Sequence, residues 1–524
     1  MLRQEIKKIT GRIIKNLYHQ EIDVEVGQPL SVVFGDRSTN VAMVLKKNPA
    51  EIVAALGHSD IFSKTEVKNG FINFFISPGY LQKQVKEILR QKDNFGKLRL
   101  GRNKKVNVEF ISANPTGPLT LGNGRGGFCG DVLANVLSAA GFKVKREYYV
   151  NDTGEQVRKL GHSVLGDEQA VYQGDYIEDL RKKIKGENAE KIGQKAADII
   201  LREMIKPTIK KMKINFDLWF SEKDLYREKE TEKVSALLKK KGLSYEKEGA
   251  VWFRSTEFGD DKDRVLIKAG GESTYFLSDI AYLKNKFKRG FKTLFFFWGA
   301  DHFGYINRVK AAAQALGFGK ENIRVVIMQL VRLVQQGKEV RMSKRAGTYV
   351  TLDELMDEVG LDVARFFFLT RSPDTHLNFD LDLAKEQSEK NPVYYVQYAH
   401  ARICSILRKL KNRASKRSEG EDENAVLIAS QNLKLLEHPS ELALIKQLIR
   451  LPEIIEDTAK DYQVQRLPQY AVETATAFHR FYRDCRVISD DKELSGARLS
   501  LVMATKIVLK NTLGLTGISA PEKM

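Results

Sequence analysis

Residues 106–140 restrict the possible folds of this chain more than any other stretch. In VNVEFI, Val106, Val108 and Phe110 fall on one face of a strand, and Asn107 and Glu109 on the other. From Phe128 onward, Val132, Leu133, Val136, Leu137 and Ala140 recur at helical spacing, and Gly141 is a natural stop. Between the two lies NPTGPLTLGNGRGG, residues 114–127, where five of fourteen residues are glycine and two are proline. A second strand, FKVKREYYV, completes a βαβ unit, which implies a parallel sheet with a crossover helix. At the junction, the first turn of the helix carries unpaired N–H groups and the positive end of its dipole. Glycine removes the side chains that would keep an anion away, so a phosphate fits there.

Alone, this junction leaves a nucleotide site and a tightly packed turn both open. Gly122, Gly124 and Gly127 satisfy GxGxxG, and Glu147 lies about where a dinucleotide fold puts its ribose carboxylate. Such a fingerprint starts directly after the strand, however, and here PTGPLTL intervenes.

With 524 residues, the chain is too long for one core. Residues 1–100 form a small α+β unit: a helix with Ile6, Ile9, Ile13, Ile14 and Leu17 at helical spacing, and a strand at GFINFFIS. Residues 101–385 carry the α/β pattern, with further strands at TLFFFWG and RVVIMQL and a charged helical insertion at about 155–245. Residues 386–524 read as helical throughout, with a polar loop at 413–424. The formal charge of +19 points to a polyanionic partner, nucleic acid first, against the plainer reading of a basic surface that aids solubility. Cys129, Cys404 and Cys485 lack metal-site spacing and read as buried thiols in a reducing compartment. No apolar run approaches the roughly 18 residues of a membrane span, and the first helix lacks a signal peptide's continuous apolar core, so a cytoplasmic location is expected.

A second motif, RMSKR at 341–345, precedes a helix whose start is marked by a Thr351/Glu354 capping box. By itself such a pentamer reads as a solvated charge cluster. Paired with the glycine-rich junction, it resembles the two signatures of class I aminoacyl-tRNA synthetases. VEFISANPTGPL, GRGGFCGDVLANVL, YYVNDTGEQV, FFWGADHFGY, VRMSKRAG, ARFFFLTRSPDTHLNFDLDLA and EKNPVYYVQYAHARI resemble arginyl-tRNA synthetases, in order, over most of the chain. The resemblance implies a Rossmann-type catalytic domain, an N-terminal tRNA-contacting domain and an all-helical anticodon-binding domain. It also implies ATP with Mg²⁺, L-arginine and tRNA(Arg) as partners, activation that requires tRNA, and a monomer. An enzyme for another amino acid and a catalytically impaired tRNA-binding paralogue are the alternatives.

The same resemblance assigns site residues. Where two histidines are usual, this chain has Thr120 and Asn123, which keep a hydroxyl and an amide but no charge. Lys344, with Arg341, would contact pyrophosphate, with Met342 packing and Ser343 a loop hydrogen bond. Pro115 and Gly117 would shape the excursion, Gly122 and Gly124 would let ATP approach, and Arg125 would neutralise phosphate or cap the loop. Asp301 and His302 would lie on the adenosine side. Glu109 and Asp279 would hold the substrate guanidinium, with Tyr275 beside it and Asn114 at the amino-acid end. In the C-terminal helices Tyr394, Tyr395, Tyr398, Tyr470, Phe478, Phe481 and Tyr482, interleaved with arginines, would meet unpaired bases and phosphates.

Overall fold

A five-stranded sheet organises the middle of the chain, and in the computed structural model all its neighbouring strands are parallel. The structure describes residues 1–29, 31–340, 350–414 and 432–524. The strands are β1 (Lys105–Glu109), β2 (Lys143–Val150), β3 (Leu218–Ser221), β4 (Thr293–Gly299) and β5 (Ile323–Met328), in the order β5-β4-β1-β2-β3. The chain builds outward from β1 through β3, then returns to lay β4 on the other side of β1. That reversal makes the carboxyl end of β1 the place where a crevice opens. β3 was not anticipated. It is four residues long, it lies inside the segment read as a helical insertion, and so short a run shows no period.

The sheet is covered on both faces. Phe295 and Phe297 of β4 point into a core shared with α1 (Leu121–Ala139) and the C-terminal helices. Leu294 and Phe296 point into a second core with α2 (Tyr275–Lys288) and the helix Ile306–Ala315. Register pairs Asn107 with Leu294 and Glu109 with Phe296, so the polar face of β1 also meets α2.

α1 starts seven residues before the apolar periodicity does, so GNGRGG lies inside the helix and not in a loop. Each interior glycine costs about 1 kcal/mol of helix propensity. Close packing repays this: a Cβ on Gly130 would sit 2.4 Å from Phe110 Cγ, and one on Gly124 would sit 2.5 Å from Leu352 Cδ1. Just before the helix, Ile111 and Ser112 adopt φ of 66° and 36°. This is unusual for a β-branched residue and is held by a bond from the Tyr149 N–H to Ser112 Oγ.

The N-terminal unit joins the helix Leu2–Tyr18 to a three-stranded antiparallel sheet, 37–39, 62–68 and 71–76. It is pinned to the C-terminal helices by Arg37 with Glu453 at 2.7 Å and by Arg3 with Glu456 at 2.6 Å. Among the described residues no strand follows Asp380, and helices run from Pro392 to Thr516. All three cysteines are buried and free.

Arg365, 1% exposed, ties these parts together: it donates to Asp131 of α1 and to the carbonyls of Met212 and Thr516. Replacing it takes one of two cations from the buried Asp131, which keeps Arg146 at 3.2 Å, and leaves the Met212 and Thr516 carbonyls without this donor, at about 1–3 kcal/mol for each unsatisfied group. Arg365→Met should therefore lower the urea midpoint of unfolding by an amount on that scale, and a loss under about 1 kcal/mol would refute the role.

Candidate active site

The carboxyl ends of four strands carry acidic or polar groups. Glu109 ends β1, Asn151 and Asp152 follow β2, Glu222 follows β3, and Asp301 follows β4. Tyr275 and Asp279 lie one turn apart at the start of α2.

Asp279 accepts a hydrogen bond from the Tyr305 hydroxyl. Burial, with the charge of Glu109 adding to it, pushes its carboxyl up to about 7, although the Tyr305 hydroxyl and the Arg308 guanidinium act the other way. Glu222 is 1% exposed, and burial with the charges of Asp279 and Asp152 pushes it up to about 7 as well. Asn151, with its amide nitrogen turned inward, donates to Glu222 Oε2 at 2.7 Å. Neither Asp279 nor Glu222 makes an ion pair among the described residues. Asp152 faces Lys223 at 3.8 Å and accepts from Ser221 Oγ at 2.6 Å. Glu109 lies 2.7 Å from Lys286 Nζ. Of four clustered carboxylates, two have cations and two lack them. The charge balance of this group is therefore short of cations among the described residues. Sequence reasoning missed Glu222, because it stands in the uninterpreted insertion. The available signal was an acid directly after the aromatic run LWFS.

Tyr275 is 46% exposed, and its hydroxyl accepts from the Glu155 N–H at 3.0 Å. Asn114 is exposed and Pro115 buried, and a Cβ on Gly117 would sit 3.2 Å from the Tyr176 hydroxyl. Thr120 and Asn123 cap α1 reciprocally. The Asn123 N–H donates to Thr120 Oγ1 at 3.4 Å, while the Thr120 N–H and hydroxyl donate to Asn123 Oδ1 at 3.0 and 2.9 Å. The Thr120 hydroxyl proton is thus already engaged, and the Asn123 amide N–H₂ has no partner among the described residues. Gly122 is exposed at this helix start, with only Thr120 Oγ1 near where a Cβ would be.

Arg125 departs from expectation. It is fully buried and donates to the Gln329 and Ser372 carbonyls at 2.9 and 2.8 Å, so it braces α1 instead of meeting phosphate. Gly124 likewise serves packing against Leu352. Glu147 is fully buried among Arg289, Tyr282 and Asn107, which removes it as a ribose ligand and with it the dinucleotide reading. Asp301 and His302 are exposed, 3.6 Å apart.

Arg341, Met342, Ser343 and Lys344 lie outside the described residues, as does most of the polar loop at 413–424. The anchor of the second signature is described. Thr351 and Glu354 form the expected capping box at the start of α3 (Leu352–Val359). Thr120 bridges to Thr351, and the Leu352 N–H donates to the Leu119 carbonyl at 3.0 Å. The start of α3 therefore lies beside the start of α1, although more than two hundred residues separate them in the chain.

In the C-terminal helices Tyr470, Phe478 and Phe481 are core residues. Tyr394 and Tyr398 are partly exposed and stack at 6.3 Å, and Arg402 lies over Tyr398 and the exposed Tyr482 at 4.8 and 5.3 Å. Among the described residues no helix is long and apolar enough to cross a membrane.

Three family models cover the chain: an arginyl tRNA synthetase N-terminal domain at residues 1–76, a class I (R) tRNA synthetase catalytic domain at 84–182 and 166–382, and a DALR anticodon binding domain at 396–524. The arginine–tRNA ligase of Syntrophotalea carbinolica is 42% identical over 100% of both chains. That of Caldanaerobacter subterraneus subsp. tengcongensis is 45% identical over 96% of this chain and 94% of its own. The Thermus thermophilus arginyl-tRNA synthetase shares the fold, with a TM-score of 0.79 at 21% identity over 100% of both chains. With its three successive domains matched and full-length relatives at this identity, the chain belongs to the arginyl-tRNA synthetase family.

Proposed function

We propose that this arginine–tRNA ligase holds the substrate guanidinium between Asp279 and Glu222, with Glu109 as the third wall of the pocket. The two unpaired carboxylates, Glu222 buried and Asp279 partly buried, carry this reading. A guanidinium is planar and always charged, and it matches a carboxylate pair through its fork of donors. Tyr275 would pack beside it and Asn114 would meet the amino-acid end. In the first step an arginine carboxylate oxygen attacks the α-phosphorus of ATP, and pyrophosphate leaves. In the second, the terminal ribose hydroxyl of tRNA(Arg) attacks the carbonyl and AMP leaves.

The start of α1 suits the triphosphate. The Gly122 N–H and the Asn123 amide have no partner among the described residues, and exposed Gly122 puts no side chain in the way. The anchored RMSKR segment would bring Lys344 and Arg341 over the same phosphates, with Met342 and Ser343 supporting the loop, and Asp301 and His302 would border the adenosine. Mg²⁺ would accompany ATP as the counter-ion of its triphosphate. Residues 1–100, 101–385 and 386–524 would act as the tRNA-contacting, catalytic and anticodon-binding domains of a cytoplasmic monomer. Tyr394, Tyr398, Tyr482 and Arg402 make a platform for unpaired bases.

Exchange of labelled pyrophosphate into ATP should require arginine and tRNA(Arg) together. Binding of tRNA without exchange would instead mark an impaired paralogue, the reading that Thr120 and Asn123 leave room for. Asp279→Asn should raise KM for arginine at least tenfold, as the loss of a charged hydrogen bond of about 1.5–3 kcal/mol requires, and leave KM for ATP within about twofold. Equal rises in both would count against the pocket.

The two free carboxylates must ionise to pair with the cation, so arginine binding releases protons. Affinity should be highest above pH 8 and fall about tenfold per unit below 7 for each proton involved. A flat profile of KM for arginine from pH 6 to 8 would refute the linkage. Lys344→Ala should slow activation by tenfold or more while direct arginine affinity holds, as read in single-turnover adenylate formation.

A further inference from the structure

Register places Glu109 of β1 directly opposite Glu147 of β2, on the same face of the sheet. Two carboxylates side by side on neighbouring strands repel, and here both are buried, at 7% and 0% exposure. The counter-charge comes from α2 and the residue just after it. Lys286, fully buried, donates to Glu109 Oε2 at 2.7 Å and to Asn107 Oδ1 at 2.5 Å, and lies 3.7 Å from Glu147. Arg289 binds Glu147 with both terminal nitrogens at 2.7 Å, and the Tyr282 hydroxyl adds a third bond at 2.7 Å. Two acids and two bases balance, so this base of the pocket is neutral before any substrate enters.

The same helix face carries the pocket. Tyr275, Asp279, Tyr282 and Lys286 recur at steps of four, three and four, one above the other along α2. Lys286 takes one oxygen of Glu109. The other has no partner among the described residues, and the side chain keeps a small accessible surface. Lys286 is held in turn by the rings of Tyr282 and Phe296, at 4.5 and 4.9 Å.

We infer that Lys286 is a positioning residue for arginine recognition, which pairs with Glu109, holds it in one orientation and leaves two uncompensated carboxylates, the number one guanidinium can engage. The inference rests on the reading that Asp279, Glu222 and Glu109 form the arginine pocket. Without Lys286, Glu109 would face Glu147 and Asp279 without its cation, and it would turn away from the pocket.

The test is a double-mutant cycle on the full chain, with KM for L-arginine and for ATP measured in aminoacylation. Lys286→Met should raise KM for arginine at least tenfold and leave KM for ATP within twofold. In a Glu109→Gln background the same substitution should add less than twofold, because it acts through Glu109. An arginine effect that persists in that background, or equal changes in both KM values, would reduce Lys286 to a structural ion pair and overturn the inference. Should Lys286→Met fail to fold, the charge-neutral double variant compared with Glu109→Gln alone makes the same decision. Asp279→Asn separates the two levels. If it raises KM for arginine and Lys286→Met does not, only the role of Lys286 fails. If neither does, the pocket itself is wrongly drawn.

Discussion

Glu109 and Glu147 stand shoulder to shoulder on adjacent strands of a sheet covered on both faces. A closed, low-dielectric setting does not tolerate two like charges unless cations reach them. Lys286 and Arg289 can do so only if α2 lies along this face with its carboxyl end over the two acids. That constraint fixes the rotation of α2, and so it fixes where Asp279 and Tyr275 stand at the other end. The buried charge balance is thus the foundation on which the binding pocket is registered.

A second constraint works on the opposite face. α1 approaches β1 and α3 so closely that glycine is required at positions 130 and 124. The same approach brings Thr120 to Thr351 and Leu119 to Leu352. The start of α1 is therefore joined to the start of α3 by main-chain hydrogen bonding. Of the glycines that look like a phosphate cradle, Gly124 and Gly127 serve close packing, while Gly122 is exposed at the helix start. Backbone strain at Ile111 and Ser112 sits where the chain leaves β1 for the excursion, held by Tyr149 from the neighbouring strand.

Charge bookkeeping at the pocket separates structural from functional acids. Asp152 and Glu109 have cations close by, and Glu147 has two. Among the described residues Asp279 and Glu222 have no ion pair, which is costly for carboxylates withdrawn from water. In the pocket proposed above, a substrate guanidinium would remove that cost on binding.

Much of this was legible in the chain itself. The strands at VNVEFI, FKVKREYYV, TLFFFWG and RVVIMQL, to within one or two residues at their ends, the capping box at Thr351, the stop at Gly141 and the helical C-terminal region follow from local periodicity and capping chemistry, which neighbouring residues dictate. The ordered motifs carried the family, because residue types in fixed order survive without any knowledge of their contacts. Tertiary structure decided the rest. It turned Arg125 from a phosphate ligand into a brace, and Glu147 from a ribose ligand into a buried ion. It paired Glu109 with Lys286, brought in Glu222 from a stretch with no recognisable pattern, and added the short strand β3. Each of these depends on what lies across a helix or strand from a residue tens to hundreds of positions away. Burial and charge pairing are properties of that neighbourhood, and one-dimensional spacing does not encode them.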